Sequence, residues 1–218
     1  MDRKDFTIVI PSCEPTHSDP IYNHIISLGI DEKMVLRKDG SNYPSFSKLI
    51  NDSILMTDTE IVIICSDRCK PNYEQIERTL NLLDDGYGFV GLWRFAFFGF
   101  KKQLIQQVGF LDENYVGGGY EDSDYMLRLK EADIAHYEKD EIEYRGGGSR
   151  WKTHNHEYHN RKWLVNEVLV KRLSPEPEHN PDYDLGKLSD VSFLKWEESI
   201  LLDVSKSLVK KRFVRGEE

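Results

Sequence analysis

Phe6-Thr7-Ile8-Val9-Ile10 is a continuous apolar run rich in β-branched residues, and it stops at the turn Pro11-Ser12-Cys13-Glu14-Pro15. A strand with one wet face alternates apolar and polar side chains. A run without alternation marks a strand buried on both faces, as in a parallel sheet. The residues that follow repeat a strand–helix unit. Ser18-Asp19-Pro20 reads as a helix start with Pro20 in the first helical position, Ile21, Ile25, Ile26 and Leu28 form the buried face, and Gly29 ends the helix. Met34-Val35-Leu36 is a second strand, followed by the turn Lys38-Asp39-Gly40-Ser41-Asn42 and a helix over 45–55. Residues 60–65 (EIVIIC) are a third buried strand, opening on Ser66-Asp67-Arg68-Cys69, with a helix over 73–83 behind it. This alternation predicts an α/β fold: a central, mostly parallel sheet with helices on both faces. Ligands of such sheets lie beyond the carboxyl ends of the strands, where this chain places Ser12, Glu14, Asp39, Ser41 and Asp67.

The second half has a different texture. Residues 88–93 and 95–100 are apolar and aromatic and read as strands; 101–108 reads as a short helix. Then comes Gly117-Gly118-Gly119-Tyr120-Glu121-Asp122-Ser123-Asp124. The glycines leave the backbone free to take positive φ or to lie against a ligand. The three acids open a helical pattern carried by Tyr125, Met126 and Leu129, with Arg128 and Lys130 outward. Acids in a first turn suit the helix dipole, so capping alone explains them; a carboxylate placed there also serves as a general base. Residues 134–144 read as a strand. A second glycine run at 146–148 leads into Trp151-Lys152-Thr153-His154-Asn155-His156-Glu157-Tyr158-His159, read as a loop, and a helix with Trp163, Leu164, Val168 and Leu169 follows.

Residues 1–172 are expected to form one domain, 173–188 a linker, and 189–218 a helix with a basic tail. Leu194, Leu201, Val204 and Leu208 stand at helical spacing in that last segment, which could dock on the domain or pair with a second copy to form a homo-oligomer. Its basic end reads as cations suiting a helix terminus ahead of contact with a membrane surface.

The 218 residues carry a formal charge of −9, which argues against a general nucleic-acid binder. No apolar run approaches the roughly 20 residues of a membrane helix, and the N-terminus does not read as a secretory signal. Three cysteines, Cys13, Cys65 and Cys69, suit free thiols in a reducing compartment. A cytoplasmic protein, at most peripheral to a membrane, is the expectation.

Over residues 6–170 these motifs resemble the family 2, GT-A-fold glycosyltransferases. Ile8-Val9-Ile10-Pro11-Ser12 is similar to that family's first strand and nucleotide pocket. Lys38-Asp39-Gly40-Ser41 resembles its D-D-G-S turn, whose acid recognises the base. Lys48 and Asn51 stand where the family often carries an Arg and an Asn. Cys65-Ser66-Asp67 resembles a degenerate D-x-D in which the second, metal-touching acid survives. Cys13-Glu14-Pro15 replaces the family's usual Tyr or Asn. Gly109-Phe110-Leu111-Asp112-Glu113 and Gly119-Tyr120-Glu121-Asp122-Ser123-Asp124 resemble its G-x-F-D-E and E-D-x-D stretches, and the latter also resembles the G-G-E-D-D-D of β-1,4-galactosyltransferases.

The resemblance implies an inverting transfer of a sugar from a nucleotide diphosphate, UDP by default, to a hydroxyl of a glycan or glycoconjugate. It implies Pro11, Ser12, Glu14, Asp39, Ser41, Lys48, Asn51, Ser66 and Asp67 on the donor side, and Asp122 as base assisted by Glu121. Trp93, Gly99, Gly118, Gly119, Glu121, Asp124 and Trp151 would line the acceptor and sugar side. A divalent cation, Mn²⁺ or Mg²⁺, would rest on Asp67 and on His154 or His156, since Mn²⁺ accepts imidazole as well as oxygen ligands. Three rivals stand beside this reading: a zinc site of Cys65, Cys69, His154 and His156, an inactive sugar-nucleotide- or glycan-binding module, and a transferase acting on modified DNA bases.

Overall fold

The computed structural model describes residues 5–13, 15–144 and 152–164. The chain divides into two compact units, Met1–Lys152 and Thr153–Glu218. The expected linker, the C-terminal helix and the boundary at 172 lie outside the described residues, as do Glu14 and Trp151.

In the first unit the order is β1 (Phe6–Ser12), α1 (Pro15–Ser27), a 3-10 turn (Glu32–Met34), β2 (Val35–Asp39), α2 (Phe46–Met56), β3 (Ile61–Cys65), α3 (Tyr73–Asp84), β4 (Phe89–Trp93), β5 (Phe97–Lys101), α4 (Leu104–Val108), α5 (Glu121–Glu131) and β6 (His136–Glu138). The strands form one six-stranded sheet in the order β2-β1-β3-β5-β4-β6. β1 runs parallel to β2 and β3, β5 is antiparallel to β3 and β4, and β6 is parallel to β4.

The unbroken apolar runs have the predicted cause. Ile8, Ile10, Ile61, Ile63, Val90 and Leu92 pack on one face with Ile21 and Ile25 of α1 and Ile76 and Leu83 of α3. The alternate residues Val9, Val62, Ile64, Phe89, Phe98 and Phe100 pack on the other face with Ile50 and Ile54 of α2, Leu104 and Val108 of α4, and Tyr125 and Leu129 of α5. Each of the central strands β1, β3, β4 and β5 therefore feeds two cores, and period-2 alternation shows as a change of core partner instead of a change of polarity.

Helix starts follow local chemistry. The Ser45 hydroxyl accepts from the Lys48 amide at the head of α2, and Asn72 with Gln75 forms a capping box on α3. α1 corrects an expectation: it begins at Pro15, and Pro20 lies inside it. A proline at the helix start is indeed used, but it is the earlier of two. Pro20 has no N–H for the Thr16 carbonyl, and Thr16 is exposed, so water can take that bond.

The strand expected over 134–144 shrinks to three residues. β6 is an edge strand paired only with β4, after which the Lys139 and Glu141 amides donate to Gly91 and Leu92 and Tyr144 bridges to Cys69. The chain is leaving the sheet edge to cross its end. The last described element is α6 (Lys152–Leu164), which from Thr153 onward belongs to the second unit. The histidine-rich stretch read as a loop is thus helical. No helix among the described residues is long and apolar enough to cross a membrane.

Candidate active site

β1 and β2 are in register to their ends, with Ser12 opposite Asp39. The next strand delivers Asp67 to the same edge, where the Ser12 hydroxyl donates to Asp67 Oδ2 at 2.6 Å. Ser12 is buried and Asp67 half-buried, so the hydroxyl fixes a carboxylate that still reaches solvent. Ser66 Oγ lies 3.4 Å from Asp67 Oδ1, and the Ser66 amide donates to Ala96. Pro11 lies beyond the last β1–β3 pair, Val9 with Ile64, so its missing N–H is not needed by β3. Asp39 accepts from the Ser41 amide at 2.9 Å, and this N–H, first among the causes, holds its carboxyl below the usual range. Gly40 sits under the turn: a Cβ there would stand 2.5 Å from Leu49 Cδ2. Ser12, Asp39, Ser41, Ser66 and Asp67, five of the expected donor-side residues, thus gather at one sheet edge.

Lys48 and Asn51 are engaged elsewhere. Lys48 Nζ donates to Asp52 at 2.6 Å and stands 3.8 Å from Glu113. Asn51 is buried; its Nδ2 donates to the Leu111 carbonyl at 2.8 Å and to Glu113 Oε1 at 2.9 Å, and its Oδ1 accepts from the Leu111 amide at 3.0 Å. Three hydrogen bonds of that amide thus go to the loop before the glycine run.

That loop leads to the acids. The Gly117 amide donates to Pro44, and the Phe46 amide donates to Gly117, which ties the glycine run to the entry of α2. Gly117 and Gly119 have φ of 67° and 106°, and Tyr120, before the first residue of α5, has φ of 71°. The glycines therefore serve a fixed left-handed turn. Glu121 is buried and accepts from the Gly119 amide. Burial, and then the neighbouring Asp122 carboxylate, push its carboxyl up to about 7. Asp122 is half-buried and accepts from the Ser123 amide at 2.8 Å.

Asp124 corrects an expectation. It is fully buried, accepts a hydrogen bond from Arg128 Nε at 3.0 Å and is ion-paired with Nη2 at 2.8 Å, so it does not face an acceptor. Breaking such a buried pair from one side costs about 3–5 kcal/mol. Gly99 is a second correction: it lies mid-strand in β5, and a Cβ there would meet Thr79 of α3 at 2.6 Å. Its missing side chain lets α3 close on the sheet. Gly118 is roomier, with a Cβ meeting only Phe46 at 3.6 Å and Glu121 at 3.8 Å.

Trp93 ends β4 at the edge where Cys65 pairs with Phe97 and Phe97 with Trp93. It is half-buried and stacks on Tyr144, ring centroids 5.2 Å apart. The sequence assigns Tyr144 no site role and places Arg128 on the outward face of its helix, whereas Arg128 turns in against Asp124. An acid–arginine pair at i,i+4 was visible for Arg128; nothing local marks Tyr144.

For a divalent cation, the Asp67 carboxylate is a fitting hard ligand, pre-oriented by Ser12. Among the described residues no group of three His, Cys, Asp or Glu could hold a metal. In the second unit, His154 and His156 stand two positions apart on α6, on different sides of the helix. One of them at most can face a given ion. Burial lowers the His154 imidazole. The zinc alternative loses support in the first unit: Cys65 and Cys69 belong to the core, and burial pushes the Cys69 thiol up to about 12, away from the thiolate a metal needs.

The mixed sheet, with its parallel β2-β1-β3 half and helices on both faces, has the GT-A, Rossmann-like architecture. No protein-family model and no curated protein sequence matches the chain. Among solved structures, a mannosyltransferase from Pyrobaculum calidifontis, in complex with GDP-mannose and Mn²⁺, is similar at a TM-score of 0.54 and 13% identity, over 82% of this chain and 66% of its own. The chain thus spans just under two thirds of that enzyme. The catalytic domain of Drosophila β1,4-galactosyltransferase 7 aligns at a TM-score of 0.49 and 11% identity, over 66% of this chain and 72% of its own. Glucosyl-3-phosphoglycerate synthase from Mycobacterium tuberculosis aligns at 0.46 and 11%, over 80% and 81%.

Proposed function

We propose that this chain is an inverting glycosyltransferase that moves a sugar from a nucleotide diphosphate to a hydroxyl acceptor, a glycan or glycoconjugate. The observation that carries the reading is the Ser12–Asp67 hydrogen bond at the end of paired parallel strands, with Asp39 in register beside it. Two acids and their supporting hydroxyl at one strand edge form a donor pocket. Asp39 faces the base and ribose from its exposed turn. Ser12 holds Asp67 toward the diphosphate. A divalent cation, Mn²⁺ or Mg²⁺, resting on Asp67 and on the donor's phosphate oxygens would neutralise charge on the leaving group.

On the acceptor side Asp122 accepts the proton of the attacking hydroxyl. The acceptor oxygen forms a bond to the anomeric carbon as the bond to the diphosphate breaks on the opposite face, so configuration inverts. Gly118 leaves space for a sugar, and Trp93 with Tyr144 supplies an aromatic wall beside the Asp67 turn.

The test is a thermal-shift panel of UDP, GDP, CDP and TDP, each with and without Mn²⁺. GDP and Mn²⁺ are included because the mannosyltransferase from Pyrobaculum calidifontis is in complex with GDP-mannose and Mn²⁺. A nucleotide at 100 times its Kd stabilises by about 2.7 kcal/mol. A Mn²⁺-dependent shift that disappears in Asp67→Ala is expected. No shift with any nucleotide refutes the reading; a shift without turnover of any sugar nucleotide leaves a binding module.

A further inference from the structure

The loop between α4 and α5 is gripped by side chains that the sequence assigned to substrates or left unassigned. Arg128 Nη1 donates to the Val108 carbonyl at 3.1 Å and the Phe110 carbonyl at 2.7 Å. Asn51, from α2, pairs with both the N–H and the carbonyl of Leu111 and reaches the Glu113 carboxylate. Asp124 holds the Arg128 guanidinium from the same helix, and Arg128 also lies over the Tyr125 ring at 4.8 Å. The backbone of 108–111 is thus fastened by two helices, α2 and α5. Farther along, the run is tied down again at Gly117 and at Gly119.

We infer that Asn51 and Arg128, the latter with its counter-ion Asp124, are positioning residues for the acceptor side: they fix the 108–119 loop, and through it the Gly119–Asp122 turn, against the strand edge. The inference rests on the transferase reading, but its geometry does not. α2 begins directly after the Asp39 turn, so an Asn51 bond to Leu111 links the donor edge to the acceptor wall through one rigid helix. A base must lie within hydrogen-bond reach of the proton it takes, and displacement of about 1 Å costs on the order of 10²-fold in rate. A clamp that holds the loop backbone is a means of keeping that register.

The experiment compares Asn51→Asp, Arg128→Lys and Arg128→Met in the full chain. Asn51→Asp keeps an acceptor for the Leu111 amide and loses both donated bonds. Nucleotide Kd, read by Mn²⁺-dependent thermal shift, is expected to stay within about twofold of the parent in all three. Turnover should fall about 10- to 100-fold in Asn51→Asp and Arg128→Met, with part of it restored in Arg128→Lys. A loss of nucleotide affinity in Asn51→Asp as large as in Asp67→Ala makes Asn51 a donor contact and overturns the inference. Unchanged turnover overturns it as well. Hydrogen exchange on the unmutated protein tests the clamp without any variant and without any substrate. The Leu111 amide should exchange as slowly as those of the sheet strands; exchange at the rate of an open loop refutes the clamp even if nucleotides bind. Slow exchange in a protein that binds no nucleotide would instead refute the transferase reading alone.

Discussion

Glu121 should make this protein less stable as pH rises through the neutral range. Its carboxyl is buried beside Asp122, with the Gly119 amide as an opposing donor, and titrates at about 7 in the folded chain against 4.5 for a free side chain. Between those values the folded state keeps a proton that the unfolded state has released. Stability linked to Glu121 is therefore complete below about pH 4.5, declines as pH rises, and is gone above about 7. The gap of 2.5 units, 7 less 4.5, corresponds to about 3 kcal/mol. In Glu121→Gln the side-chain oxygen still accepts from Gly119, and no charge is buried at any pH. The variant should match the parent near pH 4.5 and exceed it increasingly toward pH 8, where about 3 kcal/mol is worth roughly 6–12 °C in a chain of this size. Melting temperatures of both proteins from pH 4 to 8.5 measure the difference directly. Parallel curves would refute the argument. A parent that gains on the variant with rising pH would show that donors hold Glu121 as a carboxylate.

Asp122→Asn should lower turnover by roughly 100-fold or more with nucleotide Kd unchanged, because a positioned base contributes about 10²–10⁴; near-normal turnover removes Asp122 from that role. The glycines should separate by backbone and by space. Gly119→Ala, at φ of 106°, should cost about 1–3 kcal/mol of stability, while Gly118→Ala should leave melting within about 0.5 kcal/mol of the parent and raise the acceptor KM; the reverse order would place the sugar elsewhere.

The three parallel strands were legible because their signal is local. Ile8 and Val9 are both apolar because each faces a core, and Asp39-Gly40-Ser41 announces its turn in three residues. Asp67 was legible from its place after a buried strand, and its bond to Ser12 followed from register. Other roles could not be read this way. Asn51 holds a partner 60 positions away, and Tyr144 stacks on Trp93 from across the sheet edge. A helix pattern shows that Asn51 is on a buried face but not what it meets there. Gly99 looked like a site glycine for the same reason: a missing side chain marks close approach, and the approaching group proved to be Thr79. The histidine stretch was misread because adjacent glycines suggested a loop where the backbone is helical.

The acid run itself illustrates why spacing must be turned into geometry. Glu121, Asp122 and Asp124 look equivalent in sequence, and all three suit a helix start. Helical rotation separates them. Positions 121, 124 and 128 share a face, since residues three and four apart lie together, and that face is turned inward: Glu121 sits near neutrality against the glycine turn and Asp124 is consumed by Arg128. Asp122 is rotated off that face and is the half-exposed member of the three. Moving Glu121 or Asp124 toward a substrate would unfasten the turn or strand a buried guanidinium. Asp122 can receive a proton with neither cost. Under the transferase reading, the base is the one acid that the fold can spare.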